Sequence, residues 1–146
     1  MAERGRVATT WLLVVCAAGA LAITLLPIGW QLNRFVVWVY YQGLHIYAWP
    51  RNEWITLELL AHALNVLLTI PLGLLARLGL PRLPWWTVPL GVLVLSTGIE
   101  LAQWLLPLGR EGMVADVLTN TLGGLIGALL GQWWLSRQAR VDDKSQ

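Results

Sequence analysis

Residues 96–131 read STGIELAQWLLPLGREGMVADVLTNTLGGLIGALLG, two very apolar segments meeting at a short turn around 107–113. Set into them are Glu100, Gln103, Arg110, Asp116 and Asn120. A charged group at mid-membrane costs about 2.5–3.5 kcal/mol on insertion scales. A chain with only 12% charged residues does not place Glu100 and Asp116 there without compensation. They are either paired or line a wet pocket, and any function is expected at this hairpin.

The rest of the composition agrees with lipid as the solvent. Of 146 residues, 57% are hydrophobic, where a soluble domain has about 45–50%. The excess is arranged in long runs, so the fold class read from the sequence is an all-α membrane protein of one domain. The net charge of +2 comes from basic residues scattered near segment ends. Nucleic acid would need a clustered basic face, so it is excluded as a partner. Cys16 is the only cysteine, which excludes an intrachain disulfide and a cysteine-based metal site.

Four transmembrane helices are predicted, at about 9–29, 57–76, 85–107 and 114–135. The first run, VATTWLLVVCAAGALAITLLPIGW at 7–30, carries no charge and is long enough for a ~30 Å core. A cleaved signal peptide ending near Ala20-Leu21-Ala22 is the competing reading, but the apolar run continues past it to Trp30. Pro27 and Gly29 are expected to end this helix. Residues 31–56 hold Phe35, Trp38, Tyr40, Tyr41, Tyr47, Trp49 and Trp54, a composition suited to the membrane–water interface. A short interfacial helix at 33–47 and a loop through Pro50 are predicted there, with a tryptophan-lined groove as the alternative and His45 solvated.

In the second span, Glu58, His62 and Asn65 fall at i, i+4 and i+7, one helix face. Such a stripe faces other helices rather than lipid. His62 reads as a hydrogen-bonded helix-contact residue, and no metal site or cofactor is predicted. Pro71 and Gly73 are expected to kink or loosen the end of this helix. Residues 77–84, RLGLPRLP, read as a basic turn. In the third span Glu100 and Gln103 share a face. In the fourth, Asp116 and Asn120 are four apart, and Gly123, Gly127 and Gly131, themselves at four-residue spacing, are read as continuing the same face with Gly124 alongside, which lets helix backbones approach closely. Residues 1–8 and 136–146 are read as cytoplasmic ends, the latter a polar, frayed tail.

Four spans put both termini on one side. Arg4, Arg6, Arg77, Arg82, Arg137, Arg140 and Lys144 fall on that side, and Arg34, Arg51 and Arg110 opposite. The positive-inside rule makes the first side cytoplasmic, an N-in/C-in topology. Helices two, three and four then aim His62, Asn65, Glu100, Gln103, Asp116 and Asn120 at one depth near the outer surface, with Arg110 and Glu111 at its mouth.

These residues carry a resemblance. TLLP at 24–27, NVLLTIPLG at 65–73, Glu100 with Gln103, Arg110, and DVLTNTLGG at 116–124 follow the order and spacing of the VanZ-like family of bacterial integral membrane proteins. The pattern resembles N-x-L-x-F-x-P-x-G, then E-x-x-Q, R, and D-x-x-x-N-x-x-G, over about 24–131. Thr69 stands where an aromatic is usual, and the 31–56 segment is unusually aromatic. The resemblance implies a polytopic protein of the bacterial cytoplasmic membrane, in a family whose founding member is linked to teicoplanin resistance. It supports Asn65, Glu100, Gln103, Arg110, Asp116 and Asn120 as the site.

Three functions compete. In the first, the protein binds a lipid-linked or amphipathic ligand, such as an envelope precursor or a glycopeptide, in the outward polar pocket. In the second, it is a small intramembrane enzyme with Glu100 or Asp116 as general acid or base on a lipid head group. In the third, it is a scaffold that forms a homo-oligomer, or joins a membrane partner, through the Gly123/Gly127/Gly131 face. The bland alternative is that the polar side chains only bond one another and pin the hairpin. No Ser-His-Asp spacing, phosphate-binding glycine loop or HExxH motif is present, which favours binding over catalysis.

Overall fold

The computed structural model of the protein describes residues 3–25, 29–46, 56–105 and 114–144. The described residues are almost wholly helical: α1 (Glu3–Leu25), α2 (Gly29–Ile46), α3 (Leu57–Gly79), α4 (Thr87–Leu105) and α5 (Val114–Lys144), with no strand among them. Three stretches are long and apolar enough to cross a membrane, Leu57–Gly79, Thr87–Leu105 and Val114–Val141. The first predicted span is represented by a shorter apolar helix, Val7–Ala20, within α1.

Several boundaries differ from the sequence reading, each for a local reason. The aromatic segment begins its helix earlier than predicted, at Gly29, and α2 packs against α3. Its rings stack along one another: Phe35 on Trp38 at 6.2 Å, and Tyr41 on an exposed His45 at 6.3 Å. Tyr47, Trp49, Pro50 and Trp54 lie outside the described residues, as do Pro27, Pro107, Arg110 and Glu111.

α3 starts at an N-cap, Thr56, whose Oγ1 accepts a hydrogen bond from the Leu59 amide at 3.1 Å, with Glu58 in the first turn. Pro71 does not end it. The helix runs on to Gly79, and Arg77 belongs to its last turn rather than to a basic loop. The following turn is closed by Leu80 N to Ala76 O at 3.0 Å, and by Thr87, whose Oγ1 donates to Pro84 O at 2.7 Å as α4 begins. α5 also runs past its predicted end: the polar tail continues the helix through Lys144. Arg137 lies over the Trp133 ring at 4.1 Å, a contact across one turn that favours this extension.

Packing follows the logic of helices in lipid, with small residues inside and large apolar ones outside. Ala128 is fully buried and Gly73, Gly123, Gly124, Gly127 and Gly131 are buried, whereas Leu67, Val94, Leu95, Trp104 and Leu118 point outward. α3 and α5 form the most extensive contact, α4 rests on α5, and α1 and α2 rest on α3. The α3–α5 pair is parallel: Asn65 meets Asp116 at one end and Arg77 meets Gln132 at the other. α4 runs antiparallel to α5, its Ser96 bonded to Asn120.

The glycine column is what lets α3 and α5 touch. A Cβ on Gly123 would strike the Thr69 hydroxyl and Val66 O; one on Gly127 would strike Ile70 O and the Leu74 amide. One on Gly131 would press on the Arg77 stem, and Gly73 abuts the Gly124 carbonyl. Gly73 therefore serves close helix contact, not the loosening predicted for it. Gly124 faces Val92 of α4. The face considered for association with another chain is covered by α3 of the same chain.

Candidate functional site

The polar stripe of α3 is longer than its first three members. Glu58, His62, Asn65, Thr69, Gly73 and Arg77 recur every three or four residues and so lie along one side of the helix. Apart from exposed Glu58, all are buried or half-buried. They divide into two polar layers, one toward each end of the bundle, with the glycine contacts between them.

The first layer joins α3, α4 and α5. Asn65 Nδ2 donates to Asp116 Oδ1 at 2.8 Å. The same Oδ1 lies 3.5 Å from Nδ1 of His62, and the His62 Nε2 lies 3.7 Å from Oε1 of exposed Glu58. Both separations are too long for good hydrogen bonds, and the His62 Nδ1, itself shielded from solvent, has none. The imidazole is thus bracketed by two carboxylates, an attraction that operates when the ring is protonated. One turn deeper, Asn120 Nδ2 donates to Oγ of buried Ser96 at 2.9 Å, tying α5 to α4.

Half-buried Glu100 lies one turn from Ser96 and Asp116 one turn from Asn120, so the antiparallel register sets Glu100 and Asp116 at one level. Gln103, buried to 3% exposure, extends the same α4 face. Thr69 satisfies its own hydroxyl within α3, donating to Asn65 O at 2.9 Å. The structure therefore brings His62, Asn65 and Asp116 together and, one turn along α5, pairs Asn120 with Ser96. Glu100 and Gln103 share the Ser96 face of α4, and Arg110 lies outside the described residues. Among the described residues no three histidine, cysteine, aspartate or glutamate side chains gather as a metal site.

Sequence reasoning did not single out Ser96, although it precedes Glu100 by four residues and Gln103 by seven, the spacing of one helix face. It also missed the second layer. There, buried Arg77 donates from Nε and Nη2 to Gln132 Oε1 at 2.9 and 2.7 Å, and from Nη1 to Leu80 O at 3.3 Å. The signal was the continuation of the α3 stripe past residue 76 to Arg77, a position that the sequence reading assigns to a basic turn.

Chemically, the first layer offers amide and hydroxyl groups, an imidazole and carboxylates at one depth between three apolar helices. It presents hydrogen-bond donors and acceptors together, with an imidazole beside a carboxylate.

No curated protein and no solved structure gives a significant match to the chain. The family model described as VanZ/LLP1 matches residues 10–135, which takes in every described member of both polar layers. With most of its length matched, the chain belongs to the VanZ/LLP1 family.

Proposed function

We propose that the first polar layer is the floor of an outward-facing pocket that takes the head group of a lipid-linked or amphipathic ligand from the outer leaflet. In this reading the protein is a multi-pass protein of the bacterial cytoplasmic membrane with an N-in/C-in topology, and α1 supplies a fourth span. The basic residues favour that orientation: seven fall on the side of the termini and three opposite. The ligand class follows from position. A polar set shielded by apolar helices is reached most readily by a molecule already in the bilayer. An envelope precursor or a glycopeptide has the required combination of acyl or apolar body and hydrogen-bonding head, and altered glycopeptide susceptibility would be the cellular consequence.

The observation that carries the proposal is the Asn65–Asp116 bond with His62 beside it, continued by Asn120–Ser96. Polar groups inside lipid are retained at a cost, and such groups mark functional sites by default. The test measures binding of a lipid-linked precursor and of teicoplanin to nanodisc-embedded wild type, Asp116→Asn and Asn120→Ala. The reading predicts at least about a tenfold loss of affinity, equal to about 1.4 kcal/mol, in variants that still fold. Unchanged affinity for whichever ligand binds the wild type, or no binding of either, would sink it.

A second reading draws on the 3.5 Å approach of Asp116 to the His62 ring. A carboxylate beside an imidazole is the arrangement that general acid–base catalysis on a head group would use. Asp116→Asn would then abolish turnover of the bound lipid while leaving its binding in place, the reverse of the pattern predicted above.

A further inference from the structure

The second polar layer holds a buried charge opposite in sign to the carboxylates of the first. Arg77 is 7% exposed, yet among the described residues every acceptor on its guanidinium is neutral: the Gln132 side-chain amide and the Leu80 carbonyl. Among the described side chains no carboxylate lies within ion-pairing distance of it. A guanidinium has five N–H donors, and three are used here, leaving one on each terminal nitrogen. A guanidinium with a donor left on each terminal nitrogen can still bind a phosphate.

The surroundings fit such a ligand. The guanidinium reaches the turn after α3 at Leu80, where Leu80, Arg82 and Leu83 are exposed. Trp85 and Trp86 follow, and Trp133 and Trp134 leave α5 beside Gln132, all four exposed as at a lipid interface. Arg137 and Arg140 project from the next turn of α5. A Cβ on Gly79 would lie 3.5 Å from Thr10 Oγ1, so α1 passes close to the end of α3. Basic pockets between spans at such an interface suit anionic lipid head groups.

We propose that Arg77, held by Gln132 between α3 and α5, binds the phosphate of an anionic phospholipid head group entering past the Leu80–Trp86 turn. This site is separate from the polar layer at the other end of α3 and does not depend on the function proposed for it. Gln132 is a positioning residue: it fixes the guanidinium side-on and leaves a donor on each terminal nitrogen for the phosphate. Neutral lipids carry a phosphate too, but their choline cancels its charge, so the site selects for net negative head groups.

The variant that isolates this idea is Gln132→Glu. It keeps the shape and the side-on contact and supplies Arg77 with an internal counter-charge. The protein is reconstituted into nanodiscs of phosphatidylcholine alone, or of phosphatidylcholine with phosphatidylglycerol, and retained lipid is read by native mass spectrometry alongside Tm. Wild type is expected to retain phosphatidylglycerol about fivefold better than Gln132→Glu, the effect of roughly one basic contact. Its Tm should rise in phosphatidylglycerol, while the Tm of Gln132→Glu should be the same in both discs.

Three outcomes would overturn the proposal: no preference in wild type, the same preference in Gln132→Glu, or its equal loss in Arg137→Gln/Arg140→Gln, which would mark diffuse surface charge. If Gln132→Glu does not fold, Arg77→Met/Gln132→Leu removes the charge and its partner together and must lose the preference. A Tm rise with inorganic phosphate in phosphatidylcholine discs, matching that from phosphatidylglycerol, would assign the anion to solution and overturn the lipid assignment.

Discussion

Asn65 of α3 donates to Asp116 of α5 at 2.8 Å, one residue from Val66, whose carbonyl packs against Gly123. The bond therefore adds a polar tie beside the close glycine contact. Interhelical hydrogen bonds in lipid are worth about 0.6 kcal/mol on average and up to about 1.7 kcal/mol. A double-mutant cycle of Asn65→Ala and Asp116→Ala, read as unfolding free energy in bicelles, should return a coupling in that range. A coupling of zero would show that the two side chains are each satisfied elsewhere.

The glycines of the bundle fall into two groups that should respond oppositely to alanine. At Gly123 and Gly127 a methyl would meet backbone carbonyls and an amide of α3, which cannot move aside without separating the helices. Overpacking of this kind costs about 1–3 kcal/mol. At Gly91 and Gly98 of α4 nothing lies within 4 Å of the added carbon. There Gly→Ala removes the conformational freedom of glycine in a helix and should stabilise by about 0.5–1 kcal/mol. Thermal denaturation of the four single variants in one detergent checks both signs.

Arg77 and Gln132 should be strongly non-additive. Gln132→Leu alone strands a buried cation, and breaking one side of a buried polar pair typically costs about 3–5 kcal/mol. Arg77→Met with Gln132→Leu replaces both by apolar groups of similar size, which is often close to neutral. Folded yield and Tm of the two single variants and the double variant in phosphatidylcholine discs decide this. A double variant as unstable as Gln132→Leu would mean that the stem of Arg77, not its charge, holds α3 to α5.

Ser96 has one described partner role, accepting from Asn120. Ser96→Ala deletes the acceptor and leaves a part-buried amide short of a bond, a loss of about 1–3 kcal/mol. Ser96→Thr retains the hydroxyl and should recover most of it if the extra methyl fits. Chemical unfolding of both variants measures the difference.

How much of this was legible in the sequence varied with the kind of signal. Apolar length fixed the helices over 57–105 and 114–135, because a span needs a certain run of residues whatever its neighbours. Polar spacing put His62 and Asn65 on one face and Asp116 and Asn120 on another, because a 3.6-residue period follows from the backbone alone. That Asn65 meets Asp116 while Asn120 meets Ser96 depends on the azimuth of α5 relative to two other helices, and no local pattern encodes that angle. The last turn of α3 is not legible in the basic composition of 77–84: Arg77 continues the helix because Gln132 and the Gly131 contact hold its side chain against α5. The end of α5 was misread for the related reason that polar composition was taken for lack of structure.

The parallel alignment of α3 and α5 has a consequence for biogenesis. The chain leaves the ribosome from α3 to α5, and α3 shares little surface with α4, its immediate successor. A nascent α3–α4 hairpin therefore has almost no interface to hold it. The segment that completes α3 arrives last, about fifty residues after Asn65 has been made, as the 51-residue separation of Asn65 and Asp116 records. Until then the polar stripe of α3 is open to whatever lies beside it in the bilayer. A chain truncated before Val114 should thus enter the membrane yet be recognised by quality-control proteases, while the same segments supplied with α5 as a separate polypeptide should regain resistance.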